Sequence, residues 1–562
     1  MSARNAVNRL ADDYLAHLQS TSAQVRRRCG LAVERLDDVS FAAAQREADY
    51  CRNGLATLAT IPLEELDEEH WLLAQLLQHS FSSGVDAELD YWLTFAVTPY
   101  SGGWVLGAVH DLLTAQPVAT SADQQGFLTL VREYARLLTQ VAEKTEQQAA
   151  RGIRVPVPAI PGVRATVLGL RDAAEALLRV ATVARAAASP TCAAFTEDLH
   201  RLLDREVHPA YARLQDFLGD AYAAAASVEV GLSRLPGGAE SYRRRILRSM
   251  GTAMEPMAIH RRGLEDVAAL EARMRTLRDE LGFSGTREEF HAQLRRDPRF
   301  LAKTPEDVER RYLGYMARIE PVLPQYFSQR PASAYGVRRV DPAAEAGMTF
   351  GYYQVPTPKD PVGYYRYNGS GLESRPLISA AHLIYHELIP GHHFHLALEF
   401  EAGHVHPLRK HLYYGAFAEG WAEYAAGLAE EMGLYDDPYD LYGHLACEIF
   451  VATRLVVDTG LNAFGWSLEQ ARAFMREHVL ESDALIATET LRYSTDLYGQ
   501  ALDYRLGFHC FRDLRREAQA RLGDQFDLRR FHSVVIGSGG MPLETLGAHV
   551  ERSLRAPEGA DA

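Results

Sequence analysis

The segment YHELIPGHHFH, Tyr385–His395, carries histidines on both sides of a proline. It begins as a helix with His386 and Glu387, but Pro390 stands where the second histidine of a regular HExxH helix would lie. Proline in a helix interior removes a hydrogen bond and clashes with the preceding turn, and glycine tolerates the backbone that results. The Pro390-Gly391 pair therefore predicts that the helix kinks or bulges at this point.

The histidines around this break are the first candidates for metal ligands, because five imidazoles fall within 14 residues: His382, His386, His392, His393 and His395. Residues six apart on a regular helix do not share a face, but two looped-out residues would return His392 to the place one turn after His386. His393 keeps the face of His386 but lies about two turns, roughly 10 Å, along the axis. We therefore expect His386 and His392 to bind the metal. The pair His382 and His386, four residues apart on uninterrupted helix, is the open alternative.

A third ligand is expected from a later helix. A catalytic zinc site has three protein ligands and an open position for water. The segment AFAEGWAEYAAGLAEE places Glu419 and Glu423 one turn apart, and Glu419 is the expected ligand that completes a His2Glu set for Zn2+. The alternative is that both glutamates form a solvated helix face. With zinc bound, Glu387 would serve as general base and pass a proton from water to the leaving amine.

Helical periodicity dominates residues 1 to about 345 and returns from Leu377 onward. Between them, MTFGYYQVPTPKDPVGYYRYNGSG clusters aromatic residues around proline and glycine, which predicts a short β hairpin or edge pair. We expect a mainly α fold, with a large helical body around a deep cleft. A helical N-terminal region, 1–345, and a helical catalytic region with the small hairpin, 346–555, would form one continuous unit.

Composition excludes several classes of partner. The 562 residues carry a formal net charge of -15, with 74 acidic against 59 basic residues, so neither nucleic acid nor an anionic membrane is an expected partner. The five cysteines are scattered, which is typical of reduced thiols. No run approaches the roughly 20 apolar residues of a membrane span, and the N-terminal segment has no apolar signal region. A cytoplasmic location is the resulting expectation.

Several motifs together resemble one bacterial family. In order along the chain they are YHELIPGHH, EGWAEY, TRLVVDTGLNAFGWSLEQA, LRYSTDLYGQALDYRLG and FHSVVIGSGGMPLETL. The chain resembles the bacterial domain of unknown function 885 family over about residues 230 to 550 and more loosely before them. That family is similar to all-helical zinc metallopeptidases, the carboxypeptidases of the Taq type and angiotensin-converting enzyme. Those relatives carry HExGH and a downstream Glu, whereas HELIPGH has two extra residues before its Gly-His.

The resemblance also implies residues that face the substrate. Tyr504 would be catalytic, since a tyrosine hydroxyl can stabilise an oxyanion, and Arg492, Tyr493 and His393 would bind the substrate. An arginine can hold a peptide carboxylate in a bidentate pair. The chain departs from the family at Asn462, commonly a histidine, and at His395, commonly a glutamine.

The expected function is that of a zinc-dependent, carboxypeptidase-like peptidase acting on small peptides, because helical walls around a deep cleft exclude folded proteins. A metal-dependent amidase or hydrolase acting on a non-peptide metabolite would use the same site. An inactive helical binding protein is the third possibility, and Glu387 argues against it because a binder needs no base beside a histidine cluster. Arg454 and Asp458, four apart, are expected to form an ion pair that orients their helix.

Overall fold

The computed structural model describes residues 2–342, 345, 351–357, 360–403 and 405–554, with the backbone alone for 101–105. Helix accounts for 71% and strand for 3%, which confirms the expected mainly α fold. Of the helices in these ranges, none is both long enough and apolar enough to cross a membrane.

The α-helices of the described residues carry the labels used below. They are α1 (Ala3–Thr21), α2 (Ala23–Arg28), α3 (Phe41–Leu58), α4 (Glu68–Leu89), α5 (Ser101–Ala115), α6 (Ser121–Ala150), α7 (Ile160–Glu175), α8 (Thr182–Ala186), α9 (Cys192–Leu202), α10 (His208–Phe217), α11 (Asp220–Ala224), α12 (Gly238–Met250), α13 (Pro256–Glu280), α14 (Arg287–Leu294), α15 (Pro305–Ile319), α16 (Leu323–Tyr326), α17 (Ala380–Glu387), α18 (His392–Glu401), α19 (Gly415–Glu431), α20 (Pro438–Ala463), α21 (Leu468–His478), α22 (Asp483–Thr495), α23 (Asp503–Leu522), α24 (Leu528–Gly537) and α25 (Leu543–Ser553).

A three-stranded sheet precedes α17. Its strands are β1 (Ala334–Arg339), β2 (Gly351–Gln354) and β3 (Val362–Tyr367), in the spatial order β1-β3-β2. β2 and β3 form the predicted antiparallel hairpin, although residues 346–350, 358 and 359 of the predicted segment lie outside the described residues. β1 pairs in parallel with β3 and was expected to be helical. A parallel pair joins strands that are distant in sequence, so the local pattern of β1 gives little sign of it.

The largest hydrophobic core cluster draws on both ends of the chain, from Ala23 to Leu554. Helix α20 runs through the interior, and most of its residues are buried on every side. A helix that is buried all round is apolar on all faces, so the polar residues that α20 does carry need partners. Arg454 is one of these buried polar residues, with 7% of its surface exposed.

The helix breaks between α17 and α18, as the Pro390-Gly391 pair predicts. Residues 388–391 separate the two helices. A Cβ atom at Gly391 would lie 1.8 Å from the carbonyl oxygen of His386, so the chain can pass this close only with glycine. The indole Nε1 of Trp421 donates a hydrogen bond to the carbonyl oxygen of Pro390 at 2.9 Å, and this bond holds the break against α19.

Helices α19 and α23 approach each other closely through two glycines. A Cβ atom at Gly420 would lie 2.4 Å from Cα of Gly507, and a Cβ atom at Gly507 would lie 2.3 Å from the carbonyl oxygen of Ala416. Both obstacles are backbone, which cannot move aside as a flexible side chain can. The two glycines therefore allow α19, which carries Glu419, to lie close to α23, which carries Tyr504.

Gly420→Ala is expected to lower the free energy of unfolding by about 1–3 kcal/mol, because the added methyl group forces the two helices apart. Chemical denaturation of the variant and the parent protein measures the change. Gly314→Ala is the matched control: Gly314 lies within α15, a methyl group added there would have no atom within 4 Å, and alanine should stabilise the helix by about 0.5–1 kcal/mol. Equal stability of Gly420→Ala and the parent would contradict the close helix contact.

Candidate metal centre

Three side chains from α17, α18 and α19 converge on one point. Nε2 of His386 lies 3.7 Å and Nε2 of His392 lies 3.3 Å from Oε2 of Glu419. The ligand atoms of the three residues all lie within 4.8 Å of one another. Zinc bonds of about 2.0–2.1 Å in tetrahedral geometry separate neighbouring ligand atoms by about 3.3 Å. The three atoms therefore fit a single zinc ion with only small side-chain rotations.

Each imidazole has a polar group close to its second ring nitrogen. Nδ1 of His386 lies 3.3 Å from Oε1 of Glu423, and Nδ1 of His392 lies 3.4 Å from Nε2 of His395. Metal-binding histidines commonly use the second ring nitrogen in this way, which fixes the tautomer and the ring orientation. His395 is thus placed to support His392 through its own ring.

The electrostatics of the centre favour a cation. Burial opposes the charged form of His386, but Glu423, together with Glu387 and Glu419, raises its pKa to about 9. Three carboxylates therefore surround one imidazole in a buried position. Buried charges are normally paired or coordinate metals, so a divalent cation would offset this concentration of negative charge.

A second group of possible ligands lies directly behind the first. It consists of His382, His386 and Glu423, and Nε2 of His382 lies 3.8 Å from Oε2 of Glu423. His382 and Glu423 are 4% and 5% exposed, and neither reaches the cavity described next. Nδ1 of His382 lies 2.9 Å from Nδ1 of His444. This group could hold a metal, but it offers no open position for water and substrate.

A cavity of about 510 Å³, called the main cavity below, opens in front of His386, His392 and Glu419. Its wall includes Glu387, beside the two histidines. Burial raises the pKa of Glu387, while His392 and His386 oppose that rise. A carboxylate whose pKa is raised towards neutral is a better proton acceptor for water than an ordinary exposed one.

Two arginines, Arg454 and Arg492, line the main cavity together with the metal ligands. Nη2 of Arg454 and Nη2 of Arg492 each donate to Oε2 of Glu489 at 3.0 Å. Burial opposes ionisation of Glu489, but the two guanidinium groups lower its pKa, so it remains a carboxylate. The two guanidinium groups therefore share one carboxylate as a hydrogen-bond acceptor. The buried Nε of Arg492 has no hydrogen-bond partner in the described part of the chain.

The prediction that Arg454 and Asp458 form an ion pair is wrong. Nε of Arg454 donates to the hydroxyl of Tyr493 at 2.8 Å instead. Asp458 accepts hydrogen bonds from the hydroxyl of Tyr242 at 2.5 Å and from Nδ2 of Asn462 at 3.2 Å. Arg454 thus binds Tyr493 of α22, and Asp458 binds Tyr242 of α12 and Asn462 of its own helix α20, which leaves Arg454 facing the cavity.

Four tyrosines line the main cavity: Tyr352, Tyr353, Tyr413 and Tyr504. Burial raises the pKa of Tyr353 and of Tyr504, and the neighbouring carboxylates Glu387 and Glu419, respectively, raise these pKa values further, so the two hydroxyls remain donors. Tyr504 was predicted from the sequence, whereas Tyr352, Tyr353 and Tyr413 were missed. The Tyr413-Tyr414 pair just before α19 was an available signal for one of them.

Two predicted substrate residues do not reach the main cavity. His393 is fully buried, with Nδ1 2.8 Å from the hydroxyl of Tyr353 and Nε2 3.2 Å from the carbonyl oxygen of Ser333. Tyr493 is also fully buried and lies behind Arg454, hydrogen-bonded to Glu489. Arg492 does line the cavity, as expected of a substrate-binding residue.

Solved structures share this fold along the whole chain. A protein from Colwellia psychrerythraea described as a "putative lipoprotein" superposes with a TM-score of 0.84 at 24% identity, covering 99% of each chain. A protein from Shewanella oneidensis, described as a "putative lipoprotein of unknown function", gives a TM-score of 0.77 at 17% identity and covers 98% of this chain and 99% of its own. At these identities the likeness shows the fold alone. No curated protein has significant sequence similarity to the chain.

The family itself is shown by sequence. The family model described as "Bacterial protein of unknown function (DUF885)" matches residues 24–550, which is nearly the whole chain and includes every residue of the candidate metal centre. The chain therefore belongs to the bacterial DUF885 family.

Proposed function

We propose that this protein is a zinc-dependent hydrolase that cleaves an amide bond in small peptides. The convergence of His386, His392 and Glu419 beside Glu387, on the wall of the main cavity, is the observation that carries the proposal. A zinc ion held by the three ligands would activate water and polarise the substrate carbonyl. His2Glu with an open position is a ligand set of catalytic zinc sites.

The remaining steps fall to side chains of the cavity wall. Glu387 would accept a proton from water and return it to the leaving amine. The hydroxyls of Tyr504 and Tyr413 are available to donate to the developing oxyanion, since both residues line the main cavity and burial raises the pKa of Tyr504. Glu423 and His395, which lie next to the second nitrogens of the two histidine rings, would orient these rings towards the ion.

A peptide fits the cavity better than a compact metabolite does. β2 lies at the edge of the described sheet, and its residues Gly351, Tyr352 and Tyr353 line the main cavity. An edge strand presents unpaired backbone groups that an extended peptide can pair with. Arg454 and Arg492 provide the surplus positive charge that would bind a peptide carboxylate.

Zinc analysis combined with a substrate panel tests the proposal. The purified protein should contain about one equivalent of zinc, and it should hydrolyse members of a small-peptide library. A panel of acylated amino acids separates a peptidase from an amidase that acts on other metabolites. A metal-free protein that cannot be reconstituted, or a zinc-loaded protein that hydrolyses no amide, would overturn the proposal.

Arg492→Ala is expected to lower kcat/KM for peptides with a free C-terminal carboxylate by about 10- to 100-fold, mainly through KM. The lost charged hydrogen bonds contribute about 1.5–3 kcal/mol, and about 1.4 kcal/mol corresponds to a factor of ten. Steady-state kinetics on matched free-acid and C-terminally amidated peptides measure the effect, which should be confined to the free acids. Arg476→Ala, an exposed arginine of α21 outside the main cavity, is the control. An equal loss for both kinds of peptide would rule out carboxylate recognition by Arg492.

A further inference from the structure

A second cavity of about 500 Å³ lies on the other side of Tyr413. Tyr413 lines both cavities and is 69% exposed, so its ring forms a partition between them. The start of α23 forms another part of the same partition: Asp503 faces the second cavity and Tyr504 faces the main one. The two cavities are thus neighbours that share a thin wall next to the candidate metal centre.

The second cavity carries positive charge on one wall. Arg245 and Arg248 of α12 line it, and neither has a carboxylate to itself. The side chains of Arg244, Arg245 and Arg248 lie 2.6, 4.0 and 3.7 Å from the carboxylate of Asp90, which is the shared counter-ion behind the wall. Asp86 of α4 also interacts with Arg244 and Arg248. Three guanidinium groups therefore face two carboxylates, which leaves a surplus of positive charge.

The other titratable groups of the second cavity do not cancel this surplus. Burial raises the pKa of Asp503 to about 8, although a hydrogen bond from Ser249 opposes the rise, so Asp503 is largely neutral at pH 7. Burial, helped by Arg248, lowers the pKa of His79 to about 4, so its imidazole is uncharged as well. The charge of this cavity wall is opposite in sign to the net charge of -15 of the whole chain. Fields of this kind attract and hold anions in a cleft.

Gln500 is part of the wall between the two cavities. It lines the second cavity, and its buried Oε1 has no hydrogen-bond partner in the described part of the chain. The same side chain interacts with the hydroxyl of Tyr504 on the side of the main cavity. Gln500 therefore connects the two sides of this wall.

We propose that the second cavity is an extension of the substrate site that binds an acidic side chain of a peptide. This inference rests on the proposed function and names its substrate class. Arg454 and Arg492 would take the C-terminal carboxylate in the main cavity. The acidic residue on the acyl side of the scissile bond would pass Tyr413 and bind between Arg245 and Arg248.

Matched peptides that differ only in Glu or Gln on the acyl side of the scissile bond test this assignment. Calorimetric titration of zinc-loaded Glu387→Gln protein, which should not turn substrate over, is expected to give at least a tenfold lower Kd for the Glu peptide. Steady-state hydrolysis by the parent protein is expected to show the same preference in kcat/KM. Arg248→Gln should bring the Glu-to-Gln peptide ratios of Kd and of kcat/KM closer to one, because it removes one guanidinium group from the cavity.

Arg243→Gln is the matched control, since Arg243 lies on the same helix outside the cavity and pairs with Glu255 at 3.6 Å. For Arg243→Gln, the ratios of Kd and of kcat/KM between the Glu and the Gln peptide should equal those of the parent protein. Equal Kd values for the two peptides would overturn the acidic subsite, whatever the hydrolysis assay shows. A clear difference in Kd without hydrolysis of either peptide by the parent would overturn the proposed function and leave the subsite standing.

Discussion

Glu387→Gln is expected to lower kcat for peptide hydrolysis by about 10²–10⁴-fold while the protein keeps its zinc. The amide of glutamine has the shape of the carboxylate but cannot accept a proton from water, and general-base catalysis contributes about this factor. Glu387 is not among the three expected ligands, so elemental analysis should still find about one equivalent of zinc in the variant. Steady-state kinetics and zinc content on the same preparation measure both quantities.

Glu373→Gln is the control for this substitution, because Glu373 is an exposed glutamate shortly before α17 that does not line the main cavity. It should behave as the parent in both assays. If Glu387→Gln kept full activity, Glu387 could not be the base. If it lost its zinc, Glu387 would have to be moved from the role of base to that of ligand.

Substitution of a metal-ligand residue should abolish stoichiometric zinc binding and, as a result, all hydrolysis. His392→Ala and Glu419→Ala each remove one of three protein ligands, and an incomplete set can no longer hold the ion at neutral pH. Glu423→Gln should weaken zinc binding by about 10- to 100-fold, since Glu423 orients His386 without being a ligand of the open site. Competition with a zinc chelator measures the dissociation constants of these variants.

The neighbouring histidine supplies a matched control. His393→Gln should keep stoichiometric zinc, because His393 bonds to Tyr353 and to the backbone of Ser333, away from the centre. The outcome that would reverse the assignment is equally clear. If His382→Ala lost the metal while His392→Ala retained it, the inner group of His382, His386 and Glu423 would be the zinc site.

Local chemistry made much of this site predictable. Pro390 cannot continue a helix, and only glycine fits at position 391 against the carbonyl of His386, so the break between α17 and α18 could be inferred from the residue types alone. The spacing of the apolar residues predicted the helical fold, because this spacing involves only neighbours a few residues apart. The β2–β3 hairpin followed from a short aromatic segment with turn residues.

Long-range contacts account for what the sequence pattern missed. Arg454 was expected to pair with Asp458 within its own helix, yet Glu489 and Tyr493, which lie 35 and 39 residues further along, bind it. β1 was missed because its hydrogen-bonding partner is β3, 28 residues later in the register. Propensity and periodicity describe neighbours in sequence, and they carry no information about which distant group will satisfy a buried charge or a strand edge.

Residue order was enough to establish that the protein is mainly helical, that a helix breaks at Pro390-Gly391 and that histidines and glutamates of metal-ligand type flank the break. These features depend on backbone sterics and on spacing along one or two helices. The folded chain was needed to show that His392, and not His393, lies beside Glu419, that Arg454 faces the main cavity, and that Tyr413 divides this cavity from a second, positively charged one. Those features depend on the packing of α12, α19, α20 and α23 against one another, which brings together side chains from remote parts of the chain.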